Sequence, residues 1–149
     1  MQIKNEFSLD LPPDNAYALL LDLERVAPCV PGAELGAKRA DGSHGIKLTV
    51  KLGPMRFVYD GAVQIAERDA AARRAVIVGE ARETSGQGTA KATIAMTVSG
   101  DGGTAQVTAL AEVALTGRAA QMGRGMVDDV AKKMIADMAN CLKTRFAQP

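Results

Sequence analysis

Apolar residues near the C-terminus recur at steps of three and four positions, the spacing of one face of an α-helix. The opposite face is charged, and the acid-before-base pairs Asp128–Lys132 and Asp129–Lys133 have the favourable i,i+4 spacing. The pattern therefore predicts one continuous helix from Arg118 to Phe146. Its apolar stripe consists of Ala119, Met122, Met126, Val127, Val130, Met134, Ile135, Met138, Leu142 and Phe146.

Four of the seven methionines lie on this stripe. Methionine is flexible and polarizable, so a surface rich in it can adapt to apolar partners of different shape. The same residues can also simply fill a core. The sequence leaves both interpretations open.

The rest of the chain alternates between apolar and polar residues, which is typical of strands. The predicted strands are Gln2 to Leu9, Ala33 to Arg39, Ile46 to Leu52, Met55 to Ile65, Arg74 to Glu83, Ala90 to Val98 and Ala105 to Leu115. Tight turns such as Asp41-Gly42 and Gly53-Pro54 separate several of them, as expected for antiparallel neighbours.

Two short helices are predicted after the first strand. Pro13 can open one of them, because a proline at the first helical position costs no hydrogen bond. Asp22 can begin a second that runs to Val26 and is ended by Pro28 and Pro31. The order of elements predicts one α+β domain over residues 1–149, with a curved antiparallel sheet of about seven strands wrapped around the long C-terminal helix.

The inward positions of this sheet are apolar and mostly small, so an elongated apolar space is expected between sheet and helix. Small residues are equally compatible with close packing. Gly123 and Gly125 raise the same question, since each is unfavourable inside a helix. They indicate the close approach of a strand or ligand, a bend at the helix start, or a frayed first turn.

Composition and charge exclude several classes of function. With 18 basic and 17 acidic residues the formal net charge is +1, and there is no basic stripe for nucleic acid. The N-terminus does not resemble a signal peptide, and no window is apolar enough to span a membrane. Cys29 and Cys141 lack metal-ligand spacing and are interpreted as buried thiols in a reducing compartment. A cytoplasmic protein, at most peripheral to the inner face of the membrane, is expected.

Candidate catalytic chemistry is sparse. His44, the one histidine, falls in a predicted hairpin tip, where it is expected to be exposed. The serines lie near turns without an adjacent base. Tyr59 is the best inward polar group and could either pack in the core or donate a hydrogen bond to a ligand carbonyl. An inward acid such as Asp60 or Glu83 would instead favour an enzyme.

Three separated motifs give the chain a resemblance to a known family. They are Val30-Pro31-Gly32-Ala33 followed by Leu35, Lys51-Leu52-Gly53-Pro54 followed by Phe57 and Gly61, and Gly117 followed by Gln121, Gly123 and Arg124. They resemble the CoxG family of carbon monoxide dehydrogenase subunits, and the order of elements is similar to that of the START-like, helix-grip superfamily.

The resemblance implies a non-catalytic accessory of molybdenum-containing carbon monoxide dehydrogenases or related hydroxylases. Such a protein would hold a quinone, menaquinone or ubiquinone, between sheet and helix and would link the enzyme to the membrane quinone pool. The predicted ligand-binding wall is Phe57, Tyr59, Met96, Met122, Met126, Val127, Val130 and Met134, with Tyr59 as the polar contact. No catalytic or metal-ligating residue is predicted, and an exposed patch from Pro28 to Leu35 is expected to meet the partner enzyme.

Two alternatives remain open. Helix-grip domains also include cyclases and hydrolases, so an enzyme is the first. The second is an adaptor with a filled core and no ligand, for which a closed interior would be the distinguishing observation.

Overall fold

The computed structural model of the protein describes residues 1–146. The helices and strands in this range are β1 (Gln2–Leu9), α1 (Pro13–Leu20), α2 (Leu23–Val26), β2 (Ala33–Lys38), β3 (His44–Leu52), β4 (Met55–Asp69), β5 (Arg74–Glu83), β6 (Thr89–Asp101), β7 (Thr104–Leu115) and α3 (Arg124–Arg145), with 3-10 turns at Ala27–Cys29 and Ala119–Met122. The predicted order of elements is confirmed.

The seven strands form one open antiparallel sheet in the order β1-β7-β6-β5-β4-β3-β2. Consecutive strands from β2 to β7 are neighbours, and β1 pairs with β7, so the first and last strands lie side by side. A bulge in β4 between Ile65 and Glu67 bends the sheet. Where β4 crosses β5, a side chain on Gly61 would collide with the Glu80 carbonyl oxygen, so only glycine fits there.

The short helices begin where the sequence predicts. Pro12 lies at the N-cap of α1 and Pro13 opens it, while the Asp22 carboxylate accepts a hydrogen bond from Arg25 N at 3.4 Å to cap α2. Pro28, however, does not end the helical path. It lies inside the 3-10 turn Ala27–Cys29, since proline is tolerated in the first turn of a helix, where its missing N–H is not needed.

The prediction of one continuous helix from Arg118 to Phe146 is wrong at its start. Gly123 has a φ of +92°, a conformation that glycine adopts readily and that interrupts a right-handed helix. It separates the 3-10 turn Ala119–Met122 from α3. A Cβ on Gly123 or Gly125 would meet nothing within 4 Å, so a bend, and not a close approach, explains Gly123.

One of the two predicted ion pairs on α3 is present. Lys132 Nζ lies 3.0 Å from Asp128 Oδ2, as expected. Lys133 pairs with Asp137 at 2.8 Å instead of with Asp129. The i,i+4 spacing allows a lysine to choose either neighbouring turn, and the sequence alone does not settle the choice.

The core has two parts. The large cluster joins α1, β1, the second half of β6, the start of β7 and the second half of α3. The tip cluster joins the β3–β4 turn to the 3-10 turn before α3. The large cluster consists of Leu9, Ala16, Tyr17, Leu19, Leu20, Leu21, Cys29, Ala75, Met96, Val98, Ala105, Val107 and Leu142. The tip cluster consists of Leu52, Phe57, Tyr59 and Ala119, with Met122 and Met126 half-buried against it.

The interpretation of both cysteines as thiols is wrong. Cys29 and Cys141 form a disulfide that joins the 3-10 turn after α2 to the second half of α3, and their Cα atoms are 5.4 Å apart. The two residues are 112 positions apart in sequence, so only the folded topology reveals that they meet. The disulfide also removes the argument from free thiols for a reducing compartment.

Candidate functional site

A cavity of about 320 Å³ lies between the middle of the sheet and the first half of α3. We call it the central cavity. It separates the large cluster from the tip cluster, and its wall is almost entirely apolar. The lining residues are Ile3, Ile46, Leu48, Val50, Leu52, Tyr59, Val63, Ile77, Gly79, Glu80, Ala81, Ala90, Lys91, Ala92, Ile94, Val113, Leu115, Val127, Val130, Ala131 and Met134.

The cavity exists because its floor is made of small residues. Ala81 pairs with Ala90, and Gly79 pairs with Ala92, so two rows of the β5–β6 ladder on the inward face carry side chains no larger than a methyl group. Above them, Val127, Val130, Ala131 and Met134 of α3 form the roof. The small inward residues thus leave space in the middle of the sheet.

Tyr59 is the lining residue of the central cavity that carries a hydroxyl group. Its side chain is 5% exposed and its ring stacks near Phe57 with centroids 6.4 Å apart. No fully buried side-chain oxygen or nitrogen within residues 1–146 lacks a partner. Burial, and secondarily the charge of Glu83, raises the pKa of the Tyr59 hydroxyl, so at neutral pH the group is protonated and can donate a hydrogen bond.

The two charged residues of the lining do not project a free charge into the cavity. Glu80 and Lys91 are opposite each other on β5 and β6, and Lys91 Nζ lies 3.2 Å from Glu80 Oε1. Both side chains are more than half exposed. They form an exposed ion pair beside the cavity, while the interior remains apolar.

The eight residues predicted as the ligand-binding wall separate into two groups. Tyr59, Val127, Val130 and Met134 line the central cavity. The others lie in the flanking core: Met96 in the large cluster, and Phe57, Met122 and Met126 in or against the tip cluster. Whether any of them contacts a ligand stays a prediction.

Sequence reasoning misses most of the floor. Gly79, Ala81, Ala90 and Ala92 line the cavity and all lie on the inward parity of their strands. The prediction favours large and flexible side chains, whereas the cavity forms where side chains are small. The run of inward alanine and glycine on β5 and β6 is the signal that could have found it.

The two acids that would have favoured an enzyme do not enter the cavity. Asp60 is exposed and lines a shallow charged depression on the other face of the sheet. Glu83 is buried, and its carboxylate accepts hydrogen bonds from Val58 N at 3.1 Å and from Ser85 N at 2.8 Å, and another from the Ser85 hydroxyl. The Ser85 hydroxyl, followed by the Val58 N–H, lowers the pKa of Glu83. Glu83 therefore holds the backbone at the end of β5.

The expectation of an exposed His44 is wrong. His44 begins β3 and is 6% exposed, and its Nδ1 lies 3.0 Å from the Gly36 carbonyl oxygen. Because a carbonyl only accepts, Nδ1 donates this bond. The ring lines a cleft between α1, α2 and the sheet, outside the central cavity. The strand starts earlier than the Asp41-Gly42 signal suggests, and this places the histidine inside.

Two further features are absent from residues 1–146. No helix there is both long and apolar enough to cross a bilayer. No group of His, Cys, Asp and Glu side chains in the same range is arranged to hold a metal ion.

The arrangement of sheet, cavity and helix defines a START-like helix-grip domain. A conserved protein from Geobacillus kaustophilus has a similar structure, with a TM-score of 0.84 and 16% identity over 97% of this chain and 93% of that chain. A START superfamily protein from Mycobacterium smegmatis has a TM-score of 0.63 and 15% identity, over 97% of this chain and 95% of that chain. The Zhui aromatase/cyclase from Streptomyces sp. R1128 has a TM-score of 0.68 and 12% identity, over 97% of this chain and 92% of that chain. At these identities the likeness establishes the fold alone.

The sequence identifies the family within this class. Residues 6–147 match the CoxG family of carbon monoxide dehydrogenase subunits, and the chain belongs to that family. No curated protein sequence matches the chain significantly.

Proposed function

We propose that the protein is a non-catalytic carrier of an apolar ligand, an isoprenoid quinone such as menaquinone or ubiquinone, and that it serves a molybdenum-containing carbon monoxide dehydrogenase or a related hydroxylase. The family is described as a subunit of carbon monoxide dehydrogenase. In this proposal the protein links that enzyme to the quinone pool of the membrane.

The observation that carries the proposal is the apolar central cavity. Its volume of about 320 Å³ lies at the lower end of the range for small-molecule sites, roughly 300–1,000 Å³. A dry apolar cavity of about 150 Å³ accommodates benzene. A cavity twice that size suits a fused two-ring head group or a few isoprene units, with the rest of a long tail leaving through the opening.

Tyr59 gives the cavity wall one residue that suits a quinone head group. The protonated Tyr59 hydroxyl can donate to a carbonyl oxygen, and the remaining wall matches methyl and isoprenoid carbon. At about 25 cal/mol per Å² of apolar surface removed from water, several isoprene units contribute several kcal/mol before the ordering cost of binding. Affinity in this site would come mostly from apolar burial, and Tyr59 would orient the ring.

The cavity also supports the carrier over the two alternatives. An adaptor with a filled core is disfavoured because the interior is open. An enzyme needs convergent polar groups at the reacting atoms, and the acids nearest to the cavity are either paired outside it or tied to the backbone. The fold shared with an aromatase/cyclase does not carry its chemistry to this chain.

The partner surface belongs to the same proposal. Pro28 and Pro31 are exposed and Leu35 is half-buried, next to the exposed Glu34, so the segment from Pro28 to Leu35 offers apolar groups to the partner enzyme. Peripheral association with the membrane would bring the protein close to both enzyme and quinone.

Native mass spectrometry of the purified protein, followed by titration with menaquinone, tests the carrier function. We expect saturable binding of one quinone. Ala92→Phe should reduce the affinity by roughly tenfold or more, about 1.4 kcal/mol, because the new ring occupies the floor of the cavity. Solvent extraction of the untreated protein would identify a ligand that remains bound through purification.

Ala95→Phe is the matched control, since Ala95 lies on the same strand but is exposed on the other face of the sheet. It should bind quinone as the unaltered protein does. Failure of the folded protein to bind any isoprenoid quinone would favour the adaptor. Equal loss of binding in both variants would exclude the central cavity as the site.

A further inference from the structure

Four basic residues lie at the end of the molecule where the β3–β4 turn meets the start of α3. Lys51 and Arg56 are directly opposite each other on β3 and β4, and both are exposed. Arg118 and Arg124 flank the 3-10 turn Ala119–Met122 and are exposed as well. None of the four forms an ion pair with another residue of the range 1–146. Two like charges placed opposite each other are unfavourable unless something else compensates them.

The same end of the molecule presents half-buried methionines. Arg118 Nη2 lies 3.9 Å from Met55 Sδ. Met126 packs over the turn, where its Cε would be 3.2 Å from a Cβ on Gly53, and the Met122 methyl group would be 3.8 Å away. We call this surface, formed by the four basic residues with Met55, Met122 and Met126, the basic tip.

The basic tip adjoins the central cavity. Leu52 precedes the turn and lines the cavity, and Val127 follows Met126 and lines it from the helix. The tip cluster, with Met122 and Met126 half-buried against it, lies between the cavity and the basic tip. An apolar ligand that leaves the cavity at this end would therefore pass among basic and methionine side chains.

We propose that the basic tip docks onto a bilayer of anionic phospholipids, so that this end of the central cavity faces the membrane interface. The proposal deepens the carrier function and rests on it, since it names the surface from which the ligand enters. Arginine and lysine place their charge among phosphate groups while their stems cover apolar surface. Methionines beside them suit the acyl boundary.

An acidic protein surface would also attract these charges, but it fits the tip less well. Methionine side chains adapt to apolar partners of many shapes, and a bilayer offers an apolar boundary directly beneath its anionic phosphate groups, which matches the combination of methionine and basic side chains at the tip. Few acids oppose the attraction. Asp60 lies on β4 four residues beyond Arg56, Glu83 is tied to the backbone, and Asp128 is paired with Lys132.

Co-sedimentation with vesicles tests the docking surface without any quinone. One vesicle preparation contains phosphatidylcholine alone, and the other contains one part phosphatidylglycerol to two parts phosphatidylcholine. We expect binding to the anionic vesicles only, weakened by added salt because exposed charges are screened. Each basic residue near an anionic surface changes partitioning by roughly fivefold, so K51E/R56E should reduce binding by well over tenfold.

R68E/R74E is the matched control. It makes the same change in formal charge at the opposite end of β4, where both residues are exposed. It should leave most of the binding intact. Equal loss in both double variants would indicate an effect of net charge and overturn the assignment to the tip.

Two further outcomes would also overturn the assignment of the docking surface. One is that the unaltered protein shows no preference for anionic vesicles, and the other is that the K51E/R56E variant binds them as strongly as the unaltered protein does. If the tip binds an acidic protein instead of lipid, the unaltered protein will not co-sediment preferentially with the anionic vesicles. Quinone titration in detergent is scored separately. Vesicle binding without quinone binding would thus contradict the carrier function and leave the docking surface standing.

Discussion

The two halves of α3 are held to the sheet in different ways. In the second half, Ala139 and Leu142 are 4% and 0% exposed, and Cys141 is bonded to Cys29. The ring of Phe146, just past the helix, lies under the Arg25 guanidinium at 4.6 Å. The first half, from Arg124 to Met134, contains no fully buried residue, and its inward side chains form the roof of the central cavity.

The second half of α3 contributes most to the stability of the fold, whereas the first half covers the central cavity. Most helical stability in proteins comes from tertiary packing of an apolar face, and here that packing is concentrated in the second half. The first half contacts an incompletely filled space and starts at a glycine that breaks the helix. We therefore expect the first half of α3 to move more readily than the second half.

Loss of the disulfide should have the largest effect on this arrangement. In the chain-entropy treatment, a cross-link that closes a loop of this length, with a sequence separation of 112, stabilises the folded state by about 4–5 kcal/mol. Reduction, or the double substitution Cys29→Ser and Cys141→Ser, should lower the melting temperature by about 8–20 °C, at roughly 2–4 °C per kcal/mol. Thermal unfolding followed by circular dichroism, with and without reductant, measures it.

The serine variant provides the control for that experiment, because reductant should not change its melting temperature further. An unaltered melting temperature on reduction of the native protein would show that packing alone holds the second half of α3. The comparison between the halves would then rest on Leu142.

Truncation of one side chain in each half should have unequal effects. Leu142→Ala removes a fully buried side chain from the large cluster and should cost about 2–5 kcal/mol. Val130→Ala removes a half-buried side chain that already adjoins the central cavity, and should cost about 1 kcal/mol or less. Urea unfolding of the two variants measures the free energies of unfolding. Equal costs would mean that the roof is packed as tightly as the second half.

The fold was largely predictable because it depends on periodicity. The change from period two to period 3.6, together with the turns at Asp41-Gly42 and Gly53-Pro54, determines the number and order of the elements. The misassigned features depend on structure that periodicity does not report. Gly123 breaks a stripe that continues on both sides of it, and Cys29 meets Cys141 only through the topology.

The candidate site was predictable in position and less so in detail. Alternation identifies the inward face, and the helix stripe identifies the roof, so the cavity lies where the two patterns face each other. Its extent depends on how far α3 stands from the β5–β6 ladder at Gly79 and Ala92. That separation is set by packing at both ends of the helix, which no local pattern contains.

The smallest expected effect concerns the end of the sheet that contains the tip cluster, where the Glu83 carboxylate accepts backbone hydrogen bonds. The pKa of Glu83 lies below its ordinary value of 4.5 in the folded protein. A lowered folded pKa stabilises the protein above the unfolded value, and that contribution is lost as the pH falls below 4.5 through the folded value. Acid should therefore loosen the tip end, whereas the disulfide and Leu142 of the second half carry no proton to gain.

Hydrogen exchange at neutral pH and at pH values below 4.5 measures this loosening. The amides of Val58 and Ser85, which donate to the Glu83 carboxylate, should exchange faster in acid, and Glu83→Gln should show fast exchange already at neutral pH. Asp41→Asn is the control, because the Ser43 hydroxyl lowers the pKa of Asp41 in the β2–β3 turn. It should alter acid stability without changing exchange at Val58. If acid instead released the amides of the second half of α3 first, the assignment of that half as the more firmly held one would be wrong.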